Sequence, residues 1–356
     1  MKRILLALSL AVLLPASGCQ PSSRHLPRAA AAPALAEAVA GYVAAVDSIE
    51  EDIFSLMVLQ DGKVRAEHYF DAHTPDDRYP MHSVSKTFTS MAVGMAVEEG
   101  LFSIDDKVVS FFPDKLPAGP SAWLQQMTVR DLLTMSCGHE WDPTGRIRND
   151  KSVPAGQNDW IARFLDEPLA FEPGTYFCYN SLCTYLLSAI VQQKSGEKLL
   201  DFLRPRLFEP LDIDAPEWDE SPAGITCGGW GLHLKTEDMA KFGQLLLDGG
   251  RWKGRKLIPA HWITEASSRQ VDCRPAGTDP ESVEERGLTV ENSDWLQGYG
   301  YQIWRCRHNA YRAAGMNGQF IVVLPDKNVV MVVTAKVKFG MQKELQMLWD
   351  YLLPAL

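Results

Sequence analysis

Cysteine is scarce in this chain, and the cysteines that occur do not form a pattern typical of a metal site. Seven cysteines are spread over 356 residues, and neither Cys-x-x-Cys nor His-Glu-x-x-His is present. The eight histidines are scattered as well. The cysteine density is too low for a disulfide-rich scaffold. We therefore expect neither a metal nor a cofactor.

Basic clusters, internal repeats and long apolar runs are also absent. The formal net charge is −10, and it becomes −12 without Lys2 and Arg3. An acidic chain without a basic patch is a poor partner for nucleic acid and is not attracted to anionic lipid. No apolar run is long enough for a transmembrane helix. These absences exclude a nucleic-acid-binding protein and a membrane-spanning protein from the expected classes.

The first 19 residues have the features of an export signal. Two basic residues precede an apolar run at 4–14, and residues 15–19 resemble a bacterial lipobox with Ala16 where Leu is usual. This pattern predicts a signal peptide at 1–18, a lipid on Cys19, and a location on the periplasmic side of a bacterial membrane. The alternative is an ordinary secretory cleavage site that happens to precede a cysteine. Residues 19–35, rich in Pro, Ser, Arg and Ala, predict a flexible tether.

Export would permit disulfides among the remaining cysteines. Six cysteines allow 15 pairings, and the sequence does not choose among them. They are Cys137, Cys178, Cys183, Cys227, Cys273 and Cys306.

The order of elements predicts an α+β domain with two lobes, covering residues 36–354. Strand patterns occur early and late in the chain, and helical patterns dominate between them, so both ends are expected to share one antiparallel sheet. N- and C-terminal helices would flank this sheet, and a helical lobe at about 103–220 would be inserted in it. Predicted strands are 54–60, 64–70, 298–305, 310–314, 319–324 and 329–335; predicted helices are 33–49, 83–100, 129–135, 159–165, 182–193, 199–207, 236–247 and 341–353.

Ser83 and Lys86 are the most informative pair of residues. Three residues apart at the start of a helix, they project from one face. The apolar residues that follow predict a central helix, and a buried lysine has a lowered pKa and can act as a base. A base beside a serine hydroxyl makes a nucleophile. The alternative is a helix N-cap serine with a solvated lysine. A second Ser-x-x-Lys, at Ser195 and Lys198, ends a helix and is interpreted as an exposed terminus.

A second dense signal lies at residues 170–181. A Pro-Gly turn and a short aromatic run lead to Tyr179, Asn180 and Ser181, and an apolar helical face follows. One interpretation makes Asn180 or Ser181 the N-cap and Tyr179 a packed aromatic. The other places the Tyr179 hydroxyl and the Ser181 side chain beside Ser83. A tyrosine near a cation can help to move protons.

Together these motifs resemble the serine β-lactamase and penicillin-binding protein superfamily. Ser83-Val84-Ser85-Lys86, then Tyr179-Asn180-Ser181, then a glycine-ended strand near the C-terminus follow its three-motif order. The resemblance is greatest to class C β-lactamases, their esterase relatives and nylon-oligomer hydrolases, over roughly residues 40–350. Stretches 135–139, 208–211 and 228–232 add to it. It implies catalytic roles for Ser83, Lys86 and Tyr179, and an oxyanion hole formed by the N–H groups of Ser83 and Met316.

Two positions depart from the family pattern. Ser181 stands where class C enzymes carry an asparagine, so a hydroxyl replaces an amide at a substrate-binding position. Ala313-Ala314-Gly315 is the best match to the third motif, and Ala313 lacks the lysine that would hold a substrate carboxylate. Strand alternation directs the neighbouring Arg312 to the other face, where we expect a solvated charge. By resemblance, Gly315 would let the strand edge approach the substrate.

Other polar and aromatic residues near these motifs have simpler interpretations. His82, His139 and His233 have no carboxylate partner that is evident from the sequence, and we interpret them as structural or surface residues. Trp230 and Tyr299 fit a pocket wall and a core position equally well.

The sequence therefore predicts a periplasmic serine hydrolase that acts through an acyl-enzyme. Ser83 would attack a carbonyl, neutral Lys86 would take its proton, and Tyr179 would relay a proton to the leaving group. The substrate would be an ester, an amide or a small peptide, with an esterase-like preference because Ala313 lacks a charge. The alternative is a non-catalytic receptor that binds cell-wall peptide or a β-lactam without turnover. Contact with a membrane is expected only through Cys19.

Overall fold

A six-stranded antiparallel sheet forms the centre of the protein in a computed structural model that describes residues 25–49, 52–338 and 340–356. The strand order is β2-β1-β11-β10-β9-β8. Two smaller sheets have the orders β3-β5-β4 and β6-β7. The strands are β1 (Asp52–Gln60), β2 (Lys63–Tyr69), β3 (Tyr79–Pro80), β4 (Glu217–Trp218), β5 (Leu232–Leu234), β6 (Arg251–Trp252), β7 (Arg255–Lys256), β8 (Trp304–Arg305), β9 (Tyr311–Gly315), β10 (Gln319–Leu324) and β11 (Val329–Lys336).

The two ends of the chain meet in this sheet. β1 pairs with β11 in antiparallel register, with Leu56 opposite Val333. β10 and β11 are rich in branched apolar residues and are buried on both faces, as expected for central strands covered by helices on each side. The predicted α+β fold, with its early and late strands in one antiparallel sheet, is confirmed.

Helices fill the chain between and around the strands. They are α1 (Pro33–Asp47), α2 (Ser85–Glu98), α3 (Val108–Phe111), α4 (Ala122–Gln126), α5 (Val129–Leu133), α6 (Thr144–Arg148), α7 (Trp160–Asp166), α8 (Ser181–Ser195), α9 (Leu199–Leu203), α10 (Thr236–Leu247), α11 (Ala260–Ser267), α12 (Pro280–Glu285) and α13 (Met341–Met347). Within the described residues, no helix is long and apolar enough to cross a membrane.

Helix α10 lies against the sheet at a glycine. A Cβ atom on Gly243 would come within 2.5 Å of a Val330 methyl group and 2.8 Å of an Ile321 methyl group, so only glycine permits this close approach. α1 and the C-terminal helical turn at 348–352 pack on each other through the edge-on rings of Tyr42 and Tyr351. The two terminal helical segments therefore contact each other, which the sequence did not predict.

Helix α2 is a core helix. Residues Ser85 to Ala96 are all buried. At Gly94, a Cβ atom would fall 2.4 Å from the indole ring of Trp262, so α2 sits directly against α11. A helix buried on every side imposes burial on the polar groups in its first turn, among them Lys86. The predicted start at residue 83 is two residues early, because His82–Val84 forms a 3₁₀ turn before α2.

The described part of the predicted tether is fixed to the domain. Leu26 is buried, and its N–H donates to the Glu237 carboxylate at 2.6 Å. The Ala29 N–H donates to the Val64 carbonyl at 3.0 Å. The prediction of a flexible segment at 19–35 is therefore wrong from residue 25 onward, because composition does not reveal that these backbone groups find partners. Cys19 and the predicted signal peptide lie outside the described residues.

The predicted strand at 298–305 is also corrected. Only Trp304 and Arg305 form a strand, because the preceding residues turn. Gly298 has a φ of 104° and Gln302 a φ of 63°, which end extended structure. A Cβ on Gly300 would fall 1.9 Å from the Ala266 carbonyl oxygen, so the chain runs close to α11 rather than along β9.

Candidate active site

The structure brings Ser83 and Lys86 together. Ser83 lies in the 3₁₀ turn that precedes α2 and is half-buried, so it is open to a ligand. Lys86 lies in the first turn of α2 and is 1% exposed. Its Nζ lies 2.9 Å from the Ser83 Oγ, as the three-residue spacing predicts.

Lys86 is surrounded by neutral dipoles. Besides Ser83, its Nζ donates to the Ser181 Oγ at 3.0 Å and to the Gly229 carbonyl at 2.8 Å. Burial lowers the pKa of Lys86 from its ordinary value to about 7, while the negative charge of Asp142 acts in the opposite direction. Near neutral pH, a large fraction of Lys86 is therefore an uncharged amine that can accept the proton of Ser83.

The glycine pair at 228 and 229 shapes this environment. A Cβ on Gly229 would lie 2.9 Å from the Ser181 carbonyl oxygen and 3.5 Å from the Lys86 Nζ. A Cβ on Gly228 would lie 2.8 Å from the Ser188 Cβ. Sequence reasoning noted this stretch as part of the family resemblance but gave it no role. Two adjacent glycines before β5 were the available signal for a close backbone approach.

Tyr179 completes a set of three hydroxyl and amine groups. Its ring centroid lies 5.0 Å from the Lys86 Nζ, and the neighbouring Ser83 side chain lowers the pKa of its phenol. Burial, together with the charge of Asp142, raises the pKa of Tyr179 to about 12, while the neighbouring Ser83 and Trp304 side chains lower it. Tyr179 therefore keeps its proton at neutral pH and can donate it.

Each of the two interpretations of this motif is correct for one residue, the N-cap for Asn180 and the position beside Ser83 and Lys86 for Ser181. Asn180 is the N-cap of α8, since its side chain accepts from the Leu182 N–H at 3.0 Å, and it is fully buried against His139. Ser181 instead faces Lys86. The hydroxyl that replaces the family's asparagine thus contacts the candidate base, and its position is compatible with contact to a substrate.

The third motif runs beside the Ser83 turn. Gly315 ends β9, and a Cβ there would fall 2.3 Å from the Met81 carbonyl oxygen, so this glycine permits contact between the strand and the Ser83 turn. Met316 follows in the β9–β10 turn and is 60% exposed. Ala313 is 3% exposed and provides no charge. The site's third edge is therefore formed by backbone and small apolar groups.

The expectation of a solvated Arg312 is wrong. Arg312 is fully buried, and its guanidinium lies 4.4 Å from the Trp295 ring centroid and 5.6 Å from that of Trp304. It donates to the main-chain carbonyls of Asp294 and Arg305 at 3.0 and 3.1 Å. The far face of β9 is covered by tryptophans, so a charge on that face meets rings and carbonyl dipoles rather than water.

Trp304 is a residue of the candidate site that the sequence did not single out. Its ring centroid lies 5.3 Å from that of Tyr179, and it lowers the pKa of the phenol. Tyr299, one of two aromatics whose placement the sequence left open, is 1% exposed and packs edge-on against Tyr179 at 6.1 Å. Trp230, the other, is half-buried under Arg148. Trp304 follows Tyr299 in a segment without a recognisable motif, so no sequence signal singled it out.

The remaining candidates lie outside this arrangement. Ser195 and Lys198 do not pair: the Ser195 hydroxyl donates to the Val191 carbonyl at 2.7 Å, and Lys198 binds Glu220 at 2.7 Å. Among the histidines, His139 is buried, and His82 is half-buried with its pKa lowered by burial and by His233.

The cysteines can be placed in the same way. All six cysteines in the described residues are free and buried, so the structure assigns none of the 15 pairings. Those six are Cys137, Cys178, Cys183, Cys227, Cys273 and Cys306.

Comparison with known proteins shows the family of the chain. The family model described as beta-lactamase matches residues 45–353, which is most of the chain. This chain belongs to the beta-lactamase family. The chain is therefore a serine hydrolase of this family, as the sequence motifs predicted.

Curated relatives of this beta-lactamase-family chain have varied names. A 6-aminohexanoate-dimer hydrolase of Paenarthrobacter ureafaciens is 27% identical over 78% of this chain and 71% of its own length. A D-aminopeptidase of Brucella anthropi is 29% identical over 46% of this chain and 32% of its own. A lovastatin esterase of Penicillium rubens is 29% identical over 39% of each chain. The last two matches span well under half of those relatives.

Solved structures share the fold at low identity. A penicillin-binding protein homologue from Pyrococcus abyssi gives a TM-score of 0.69 at 20% identity, covering 90% of this chain and 77% of the other. A family VIII carboxylesterase gives 0.66 at 15% identity, covering 92% and 99%. At such identities these likenesses support the fold alone.

Proposed function

We propose that this protein hydrolyses carboxylic esters, amides or small peptides through an acyl-enzyme on Ser83. The carrying observation is the buried Lys86 amine 2.9 Å from the Ser83 hydroxyl, with its pKa lowered to about 7. A lysine that is largely uncharged at neutral pH is a competent base for an adjacent hydroxyl.

The steps follow from the positions of the three groups. Ser83 attacks the substrate carbonyl while Lys86 takes its proton, and the N–H groups of Ser83 and Met316 stabilise the oxyanion. Tyr179, which keeps its proton at neutral pH and lies beside Ser83, passes that proton to the leaving group, and the proton that Lys86 took from Ser83 replaces it. With the acyl group on Ser83, the same amine and phenol then activate water for deacylation.

Substrate preference follows from Ala313. A penicillin or cephalosporin carries a carboxylate close to its reacting carbonyl, and Ala313 offers it no cation. The loss of one charge-assisted hydrogen bond costs such substrates about tenfold to a hundredfold in kcat/KM, whereas a neutral ester loses nothing. Relatives named 6-aminohexanoate-dimer hydrolase, D-aminopeptidase and lovastatin esterase support this range of acyl substrates. We also propose a periplasmic lipoprotein, on the basis of residues 15–19.

The test combines covalent labelling with turnover. Purified protein should react with an active-site phosphonate, Ser83→Ala should abolish the labelling, and Ser195→Ala, a serine of the second Ser-x-x-Lys, should leave it intact. A short-chain nitrophenyl ester should then show a higher kcat/KM than a chromogenic cephalosporin on the same preparation. Labelling that survives in Ser83→Ala would show that Ser83 is not the nucleophile. Stable labelling by β-lactams without any turnover would indicate a non-catalytic receptor.

A further inference from the structure

A cavity of about 550 Å³ opens beside Met316, between α12, the β9–β10 turn and the start of α13. Its size is within the range that holds a small-molecule ligand. The wall is mostly apolar, with cations among its members. The residues that define this Met316 cavity for the argument are Arg286, Leu288, Trp295, Met316, Lys338 and Met341.

Two contacts join the Met316 cavity to the candidate active site. Met316 directly follows Gly315, which lies against the Met81 carbonyl in the turn that carries Ser83. On the other wall, the Trp295 ring packs edge-on against Trp304 with centroids 4.8 Å apart, and Trp304 packs against Tyr179. If the carbonyl oxygen of a substrate lies at the Met316 N–H, the adjoining part of the substrate lies next to this cavity.

The charge of the Met316 cavity is opposite to that of the chain. Arg286 and Lys338 line it, whereas no aspartate or glutamate does among the described lining residues. The whole chain carries a net charge of −10. The nearest acidic group of α13, Glu344, is buried beneath Gly318. An apolar wall with cations and no lining carboxylate is suited to an aliphatic or peptidic chain that ends in a carboxylate.

We infer that the Met316 cavity is a carboxylate subsite, in which Arg286 binds a substrate carboxylate that lies beyond the reacting carbonyl. This inference rests on the proposed function and specifies its substrate class: esters or amides of chains that end in a carboxylate. Arg286 is exposed at the C-terminal end of α12, so its planar guanidinium can meet a carboxylate through two parallel hydrogen bonds. Arg286 thus takes the place of the cation that is missing at Ala313, but it binds a carboxylate that lies further along the substrate from the carbonyl that Ser83 attacks.

Matched pairs of esters test the subsite, each pair differing only in one charge. Nitrophenyl hydrogen adipate and nitrophenyl methyl adipate carry or lack the carboxylate on the acyl side. 4-Acetoxybenzoate and its methyl ester do so on the leaving-group side. In at least one pair, the wild type should favour the acid by about three- to tenfold in kcat/KM, mainly through KM, as expected for a charge pair open to solvent.

Arg286 variants separate this subsite from general effects of charge. Arg286→Gln should abolish the preference by lowering kcat/KM for the acid to about that of its neutral ester, and Arg286→Lys should keep part of the preference. Arg255→Gln, an equal change of charge at an exposed arginine of β7 outside the Met316 cavity, should leave the preference intact. If neither pair shows a preference that depends on Arg286, the inference is overturned.

A binding measurement keeps the inference testable without turnover. In the Ser83→Ala protein, octanoate titrated by NMR should bind at least threefold more tightly than in the Ser83→Ala/Arg286→Gln protein. Equal affinity in the two proteins would contradict the subsite. Absence of turnover for all four esters would instead contradict the proposed function, so the two failures are distinguishable.

Discussion

Replacement of Asp142 by asparagine (Asp142→Asn) should move the acidic limb of the activity profile to lower pH. The Asp142 carboxylate accepts from the Ser181 N–H at 3.4 Å, and the Ser181 hydroxyl accepts from Lys86 at 3.0 Å. Its negative charge raises the pKa of Lys86 against the larger lowering by burial. Lys86 must be neutral to take the Ser83 proton, so activity is lost as pH falls through about 7. Without the Asp142 charge, Lys86 stays neutral at lower pH.

The size of this shift follows from Coulomb's law. Two unit charges roughly 7 Å apart, in an effective dielectric of about 20, change a pKa by about 1–2, and counter-ions at 0.15 M reduce the effect by about half. Asp142 is exposed, so the screened figure applies. We therefore expect the limb to move downward by about 0.5–1 pH unit, and by more at low salt.

The assay is kcat/KM for a neutral nitrophenyl ester between pH 5 and about 9, which reports the ionisation of the free enzyme. Glu140→Gln is the matched control, because it removes a carboxylate two residues away that does not contribute to the pKa of Lys86. In the Asp142→Asn variant, the side-chain amide oxygen can still accept from the Thr144 N–H, as the Asp142 carboxylate does, so the loop is preserved. A limb that stays in place, or that moves to higher pH, would refute the assignment of Lys86 as a neutral base whose pKa is raised by the charge of Asp142.

Three further predictions concern other parts of the chain. Tyr179→Phe should lower kcat/KM about 10²- to 10³-fold without loss of helical circular dichroism, and a loss below tenfold would contradict proton transfer through the phenol. Gly229→Ala should lower turnover strongly, because its methyl group would fall 2.9 Å from the Ser181 carbonyl oxygen, while Gly145→Ala, where the space is open, should not. In bacterial cells, wild type should be in the membrane fraction and Cys19→Ala should be released or misprocessed; a wholly soluble wild type with an unmodified N-terminus would disprove the lipid anchor.

The sheet and its helices could be predicted because local pattern and tertiary environment agree there. The helix at 236–247 and the strand at 319–324 match their predictions residue for residue. In both, an unbroken pattern is bounded by strong signals: a first helical turn with acidic residues in one case, and turns on both sides in the other. The predicted strand at 298–305 failed because aromatic and apolar composition suggested extension, while two glycines and a left-handed Gln302 produced a turn.

Part of the candidate site could be predicted for a different reason. Ser83 and Lys86 are three residues apart on consecutive helical turns, so their contact is a local property and the sequence contains it. Contacts of Lys86 with Ser181 and Gly229 join positions about 100 and 140 residues away in the chain. One interpretation of the 170–181 motif placed Ser181 beside Ser83, whereas only the family resemblance pointed to the segment that contains Gly229. Trp304 and Asp142 have neither a local pattern nor a family motif, so nothing in the sequence distinguished them.

Arg312 helps to explain why the absence of a cation at position 313 does not remove the groups that transfer protons. Its buried charge lies behind Trp304 and lowers the pKa of Tyr179; carbonyl dipoles and rings surround it, and the buried Asp294 carboxylate is near enough for Arg312 to lower its pKa. A lysine at 313 would have been a cation within reach of a substrate carboxylate. Arg312 is a cation that the Tyr179 phenol senses but that no substrate can touch, because it is fully buried. The proposed base and acid therefore do not depend on a cation at position 313, which is what the proposed preference for neutral esters over β-lactams requires.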